Sequence, residues 1–463
     1  MEEIKLYNTL NRKKQVFKPK RKEVGLYTCG PTVYHYAHIG NLRSYLFSDT
    51  LKRVLNYNNY NVKHVMNITD VGHLTSDADT GEDKLEKGAK REKKTVWSIA
   101  EFYTKHFKKD LKNLNIKAPS VWIKATDTIK EQIDLIKQLE KKGFTYNISD
   151  GVYFDTSKLK NYGILWGNKI ELKKGCRVKM GDKKHPTDFA LWKISKEKRQ
   201  MEWDSPWGKG FPGWHTECVV MSIQKLGVPF DIHCGGIDHI QVHHTNEIAQ
   251  SQALFKNNLA NFWMHNDFVI QKKSKMSKSK GNIITLDSLI KKGFSPLSFR
   301  YFCLTAHYRS KLSFSEKNLI SAQNSFNNLK KETLKLKNSN GKDNRKKQRD
   351  YRIKFIQIIN NDLDTPKSLA LVWDLLKDKT LSNKNKYNLI IEFDKVFGLN
   401  LKNLKKDIIP EKIKKLVAKR NKMRKDKNFK EADCLRKEIE TLGYNIEDKE
   451  EGSKISKLTN IVS

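Results

Sequence analysis

The sequence predicts an α/β protein, a parallel-sheet domain followed by a helical region, and three observations carry that prediction. Near the N-terminus an apolar run at 24–27 precedes an amphipathic stretch at 42–57 and a second apolar run at 62–68. Leu42, Tyr45, Leu46, Leu51, Val54 and Leu55 recur at helical spacing, so the three segments read as a βαβ unit, half of a doubly wound sheet. The strand pattern returns at 230–233, just before Gly235-Gly236-Ile237-Asp238, and from about Ser315 onward the period is helical.

Residues from about 120 to 200 break the alternation and read as an insertion in the sheet domain. In the helical part, Phe326 and Leu329, then Ile353, Ile356 and Ile359, then Leu369, Val372, Leu375 and Leu376 mark successive buried faces, and the polar stretch 338–348 (NSNGKDNRKKQ) reads as an exposed loop. Residues 411–443 form a final helix pair, with Ile413, Leu416, Val417, Ala432, Leu435, Ile439 and Leu442 inward and Gly443 as a C-cap. That pair carries twelve Lys or Arg against six acidic residues, a basic face suited to RNA backbone. A chain of 463 residues is too long for one core, so three or more domains are expected.

Lys and Arg number 90 against 52 Asp and Glu, a formal net charge of +38, and such a field draws polyanions, which makes nucleic acid the leading partner class. No run of eighteen apolar residues is present and the start, Met1-Glu2-Glu3-Ile4-Lys5, lacks an apolar or Arg-rich targeting segment, so a cytoplasmic protein with no membrane contact is expected. The six cysteines lie at long intervals, which argues for reduced thiols or metal ligation rather than a disulfide framework.

Two segments carry phosphate chemistry. After the first apolar run comes Thr28-Cys29-Gly30-Pro31-Thr32-Val33-Tyr34 and then His38-Ile39-Gly40-Asn41 opening a helix; far downstream stands Lys275-Met276-Ser277-Lys278-Ser279. His38 and Asn41 can donate to phosphate, Gly40 lets a nucleotide approach the backbone, and the helix start is electropositive. Lys275 and Lys278 are mobile cations on a loop whose small residues, Ser277, Ser279 and Gly281, let it close over a triphosphate. In this order and separation the pair resembles the class I aminoacyl-tRNA synthetases, in which an amino-acid carboxylate attacks the α-phosphate of ATP.

Four further residues have metal-ligand character: Cys29, Cys218 in Gly213-Trp214-His215-Thr216-Glu217-Cys218, and His243 with Glu247 in His243-His244-Thr245-Asn246-Glu247. If 243–252 is helical, the i, i+4 spacing puts His243 and Glu247 on one face. These are zinc ligands in type, yet no CxxC knuckle is present, so residues alone leave incidental buried cysteines open.

The segments YTCGPTVYHYAHIGNLR, NITDVGH, GWHTEC, FDIHCGGIDHIQVHHTNEIAQ, WMH, KMSKSKGN, RYFCLTAHYRSKLSFSE and NDLDTP, spread from residue 27 to residue 366, resemble the cysteinyl-tRNA synthetases. The resemblance implies a class I Rossmann-type catalytic domain at 1–270 with its insertion at about 120–200, a stem-contact region with the KMSKS loop at 271–320, a helical bundle at 321–395 and a small anticodon-binding domain at 396–463. It implies ATP, L-cysteine and tRNA(Cys) as substrates and Mg2+ with ATP; a monomer is expected, although the sequence does not give the oligomeric state. It also implies one zinc ion per chain on Cys29, Cys218, His243 and Glu247, to which the substrate thiolate adds. Trp214 is then expected to wall the amino-acid pocket, Thr69 to orient the amino acid, and Gly236 with Asp238 to hold the adenosine, Asp238 through the ribose; His233 and His239 are further pocket candidates.

Zinc suits the selection problem. A hydrophobic slot yields roughly 1–3 kcal/mol for small differences in size, whereas a soft cation binds a thiolate strongly and a neutral alcohol poorly, so serine is rejected by bond chemistry. Three positions depart from the family: Asn41 where His is usual, Thr245 where an acid is usual, and Ile455 where a tryptophan is expected for stacking on the anticodon. The rival reading is a ligase that joins cysteinyl-adenylate to a small amine such as an amino sugar.

Overall fold

The computed structural model describes residues 2–19, 21–72, 83–167, 182–195, 197–271, 274–275, 283–405, 410–449 and 452–457. In chain order the elements are β1 (Lys5–Asn8), β2 (Lys13–Val16), β3 (Glu23–Thr28), α1 (Ile39–Tyr57), β4 (Asn61–Ile68), α2 (Lys84–Glu92), α3 (Val96–Asn113), β5 (Val121–Lys124), α4 (Ile129–Lys141), β6 (Thr145–Ile148) and β7 (Gly151–Phe154). Then follow β8 (Phe189–Ile194), β9 (Gly210–Pro212), α5 (Trp214–Leu226), β10 (Phe230–Gly236), α6 (His243–Phe255), β11 (Ala260–Asn266), β12 (Val269–Gln271), β13 (Ser274–Lys275), α7 (Leu286–Lys291), α8 (Pro296–Leu304) and β14 (Leu312–Ser313). The helical part is α9 (Glu316–Leu336), α10 (Arg345–Asn360), α11 (Thr365–Lys377) and α12 (Asn383–Phe397), and the chain closes with α13 (Glu411–Lys425), α14 (Phe429–Thr441), β15 (Tyr444–Lys449) and β16 (Gly452–Lys457).

The expected βαβ unit is β3–α1–β4. It sits in a five-stranded sheet of order β11-β10-β3-β4-β5 in which every pairing is parallel. The first strand, β3, lies in the middle, with its successor β4 on one side and β10 on the other, so the order reverses between β3 and β10 and leaves a crevice at their C-terminal ends. Helices cover both faces, which is why β3 reads as an unbroken apolar run. β10 is equally buried although it contains Asp231 and His233; the Asp231 carboxylate accepts the Gly25 backbone N–H at 2.8 Å.

The break in pattern after 120 has a specific form. β5 still belongs to the central sheet, and beyond it α4 leads into a separate antiparallel sheet of order β6-β7-β8-β9 built on Val152, Phe154, Phe189, Leu191, Trp192 and Phe211. α12 continues through Phe397, and the main core runs on to Leu399 and Leu401, while Ile413, Val417, Ile439 and Ile446 form a core of their own. Leu404 still packs on the main core, and the small core begins at Ile413. The loop at 338–348 ends at Asn344, whose side chain accepts the Lys347 N–H and caps α10.

Buried arginines fasten these parts to the start of the sheet domain. Arg43, one turn into α1, donates to the carbonyls of Asp267 and Phe268 at 2.9 and 2.8 Å and of His307 and Ser310 at 3.1 and 2.6 Å. Arg300 of α8 pairs with Asp49 of α1 at 2.6 Å and donates to the Phe397 carbonyl of α12. Asp362, held in a left-handed conformation at φ +64 between α10 and α11, takes hydrogen bonds from Tyr7 N, Tyr308 Oη and Arg309 Nε. The helix that begins at His38 is thus tied at its first turn to the strands leading into residue 275 and at its middle to the bundle.

Candidate active site and metal centre

Cys29 is the first residue beyond β3, and its backbone N–H donates to the Cys234 carbonyl of β10 across the switch point, 3.3 Å. The next residue can only be glycine: a Cβ on Gly30 would stand 1.7 Å from the Asn67 carbonyl oxygen, and its N–H already donates to Asn67 Oδ1 at 2.7 Å. α5 brings Cys218 to the same point, and α6, helical from His243, adds His243 and Glu247 from successive turns. The four ligand atoms all lie within 4.8 Å of one another and all four residues are buried.

The electrostatics of this group call for a cation. Glu247 is fully buried; its oxygens lie 2.7 Å from His233 Nε2 and 2.9 Å from His243 Nε2, yet neither oxygen accepts a hydrogen bond of acceptable geometry. Burial works against its charge, but the two imidazoles hold the carboxyl well below the usual range. The hydrogen bond from Cys29, with the charge and hydrogen bond of His243, drives the Cys218 thiol down to about 6 against its burial, while burial pushes Cys29 up. Burial disfavours the His243 imidazolium, yet Glu247 and Cys218 together raise it to about 10. Two sulfurs, an imidazole and a buried carboxylate thus fit a soft divalent ion, and His243 Nδ1 is already engaged by His215 Nδ1 at 3.1 Å, the outer contact that orients a ligating imidazole.

More histidines gather here than the sequence reading named. His233 stacks on Trp263 at 4.5 Å, His239 lies 5.3 Å from His243, and beside these stand His215, His244 and His265, which were not singled out. His244 Nε2 is 3.4 Å from Cys29 Sγ, and Cys29, His233, His244 and Glu247 form a second ligand combination within the same cluster. The signal available in sequence was the recurrence of histidine in GWH, HHTNE and WMH, three segments that the fold superposes.

Two other expected residues, Trp214 and Thr69, lie on α5 and just past β4. Trp214 opens α5 with its ring 4.5 Å from that of His243, and Thr69 lies just past β4. Thr69 Oγ1 accepts from Asn67 Nδ2 at 2.9 Å and donates to Glu217 Oε2 at 3.4 Å. Glu217 escaped the sequence reading; burial, and then the charge of Asp70, push its carboxyl well above the usual range.

His38 is the N-cap of α1 and Asn41 its N3 residue in a reciprocal capping box: His38 Nδ1 accepts the Asn41 N–H at 3.1 Å and Asn41 Oδ1 accepts the His38 N–H at 3.3 Å. With Nδ1 accepting, the neutral imidazole carries its proton on Nε2, and the Asn41 amide keeps its NH2 as donor. A Cβ on Gly40 would stand 2.9 Å from two atoms of the His38 ring, so the glycine lets that ring fold over the helix start. Gly40→Ala is expected to displace the ring and slow adenylate formation about ten- to a hundredfold, the scale of a small misplacement at a reacting centre, with thermal unfolding little changed; steady-state pyrophosphate exchange beside a melting curve checks it.

Gly236 ends β10 and leads into the exposed turn carrying Asp238, whose Oδ1 is 2.5 Å from where a Cβ at 236 would sit. Lys275 ends β13, which pairs antiparallel with β12, while Lys278 and the rest of 276–282 lie outside the described residues. Directly beyond, Thr285 bridges His38 and the Ile39 N–H donates to Ile284 O at 2.9 Å, so the segment after the lysines returns to the start of α1.

Residues 15–324 match the family model of the class I (C) tRNA synthetase catalytic domain, and residues 407–454 match that of the cysteinyl-tRNA ligase anticodon binding domain. The solved methionyl-tRNA synthetase of Mycobacterium tuberculosis, in complex with methionyl-adenylate, shares the fold with a TM-score of 0.56 over 82% of this chain and 90% of its own, at 14% identity. The chain is a class I aminoacyl-tRNA synthetase. A cysteine–tRNA ligase 1 of Burkholderia lata is 46% identical over 459 residues, 98% of this chain and 96% of its own, and a cysteine–tRNA ligase of Treponema denticola is 43% identical over 480 residues, 96% and 98%. With such relatives and both domain matches, the chain belongs to the cysteine–tRNA ligase family. Among the described residues no helix is long and apolar enough to cross a membrane.

Proposed function

We propose that this family member activates L-cysteine with ATP to cysteinyl-adenylate, releasing pyrophosphate, and passes the cysteinyl group to the 3′ end of tRNA(Cys), with zinc in the group formed by Cys29, Cys218, His243 and Glu247. The observation that carries the site reading is the convergence of two thiols, an imidazole and a fully buried carboxylate at the switch point of the sheet. A bound zinc ion supplies a soft cation that takes the substrate thiolate and takes a neutral alcohol poorly.

Each neighbouring residue then has a task. Trp214 closes the pocket over the substrate side chain, and Thr69, aligned by Asn67 and Glu217, orients the amino acid. Asp238 accepts from the ribose hydroxyls, beside Gly236. His38 Nε2 and the Asn41 amide donate to phosphate oxygens at the electropositive start of α1, and Lys275 and Lys278 bring cations to the other side of the triphosphate. Mg2+ accompanies ATP and offsets phosphate charge. Residues 271–320 serve as the stem-contact region, and the unit from 410 onward meets the anticodon. In that unit Ile455 faces Ile446 across the β15–β16 hairpin and packs on the small core, so basic residues of α13 and α14 carry the RNA contact.

The small-amine reading has no observation in its favour, and the match at 407–454 weighs against it. Truncation tests the assignment. Because the C-terminal unit has its own core, removing 410–463 is expected to spare cysteine-dependent pyrophosphate exchange, weaken tRNA charging strongly, and flatten the salt dependence of tRNA binding. Normal charging by the shortened chain would contradict it.

A further inference from the structure

We infer that Thr9, on the turn of the β1–β2 hairpin, is a positioning residue for the metal ligand Cys29, acting through His265 and His244; the inference rests on the metal reading above. The contacts run without a gap. Thr9 Oγ1 is 2.8 Å from His265 Nδ1, His265 Nε2 is 2.7 Å from His244 Nδ1, and His244 Nε2 is 3.4 Å from Cys29 Sγ.

The polarity of this chain follows from its metal-facing end. A ligating Cys29 is a thiolate and only accepts, so His244 donates through Nε2–H. A neutral imidazole has one N–H and one lone pair; His244 Nδ1 therefore accepts from His265 Nε2–H, His265 Nδ1 is left as an acceptor, and the donor it faces is the Thr9 hydroxyl. Both rings are buried, and burial followed by the neighbouring histidines holds them well below the ordinary range, consistent with neutral rings throughout. No proton is gained or lost along the chain; its effect is to fix two tautomers and aim one N–H at the sulfur.

The far end is anchored as a positioning group requires. The Thr9 N–H donates to the Trp263 carbonyl at 2.8 Å, and the buried Asn8 side chain accepts the Trp263 N–H at 3.0 Å and donates to the Asn261 carbonyl at 2.9 Å, so the hairpin turn is fixed to β11 beside His265. If instead the metal were held by Cys29, His233, His244 and Glu247, the Nε2 lone pair of His244 would face the ion and the whole chain would run the other way, with His265 Nδ1–H donating to Thr9.

The test uses the full chain loaded with Zn2+ or Co2+, wild type beside Thr9→Val and Thr9→Ser. Loss of the hydroxyl is expected to weaken zinc binding about tenfold, the low end of what outer-shell partners of a metal ligand contribute, to shift the thiolate-to-Co2+ charge-transfer band, and to raise the KM for cysteine while leaving the KM for ATP unchanged. Thr9→Ser is expected to restore all three. A valine variant with wild-type zinc affinity and cobalt spectrum overturns the inference, as does a serine variant as impaired as valine. A measurement on the unmodified protein guards against a folding defect: with 15N-labelled histidine and bound zinc, His265 is expected to carry its proton on Nε2, and a proton on Nδ1 overturns the proposed polarity. A wild-type protein that binds neither metal overturns the metal reading itself, whereas metal binding indifferent to Thr9 overturns the relay alone.

Discussion

Cys218→Ala is expected to lose the proposed zinc and, with it, cysteine activation. The residue is buried and its thiol is already driven down to about 6, so it supplies a thiolate to the site near neutral pH. Without it the remaining donors are one thiol, one imidazole and a carboxylate, a harder and incomplete set for zinc. Removal of an outer-shell partner alone lowers metal affinity by about 10–100-fold, so loss of a direct ligand is expected to exceed that and to lower activation at limiting cysteine by at least about 100-fold. The substitution deletes a single sulfur from a helix otherwise packed on the sheet, and the fold should persist. Metal content per chain, read with pyrophosphate exchange and circular dichroism, checks all three expectations; an alanine variant that keeps one zinc per chain would remove Cys218 from the ligand set.

Lys278→Ala is expected to slow adenylate formation by about 10²–10³-fold, the size typical of losing one donor aimed at charge that develops in the transition state. The same change should move the KM for cysteine little, because the proposed amino-acid pocket is formed by other residues, Trp214 and Thr69. On the C-terminal flank of this loop Thr285 bridges His38, while on the other flank β13 pairs with β12. If the two phosphate signatures act on one triphosphate, as proposed, His38 and Lys278 should show non-additive losses in a double-mutant cycle. An unchanged single-turnover rate in Lys278→Ala would leave the segment a lysine-rich turn without a catalytic part.

Which features were legible in the sequence follows from the range of the interactions that make them. β3, α1 and β4 were readable because both faces of the sheet are covered and local periodicity reports it. The β1–β2 hairpin was not: its strands are four residues each, with lysines at 5, 13 and 14, and what holds them is Asn8, Thr9 and Asp362 reaching parts of the chain hundreds of residues away. β15 and β16 went unread for the same reason, since Ile446 and Ile455 are isolated apolar residues that meet only across the hairpin. Within the site, His243 and Glu247 announce themselves by helical spacing, whereas Cys29 and Cys218 come from a strand end and a distant helix that only the fold joins. Arg43 gave no signal at all, because an arginine that binds four carbonyls looks in sequence like any other basic residue on a helix.

The proposed selection of cysteine by a metal is reached most directly by one measurement: cysteine-dependent exchange of pyrophosphate into ATP by the full chain, stripped of metal and then titrated with zinc, with serine in parallel. The predicted result is exchange that vanishes on stripping and returns in full at one equivalent of zinc per chain, with serine inactive at every point. Full cysteine activation by rigorously zinc-free protein would contradict the account.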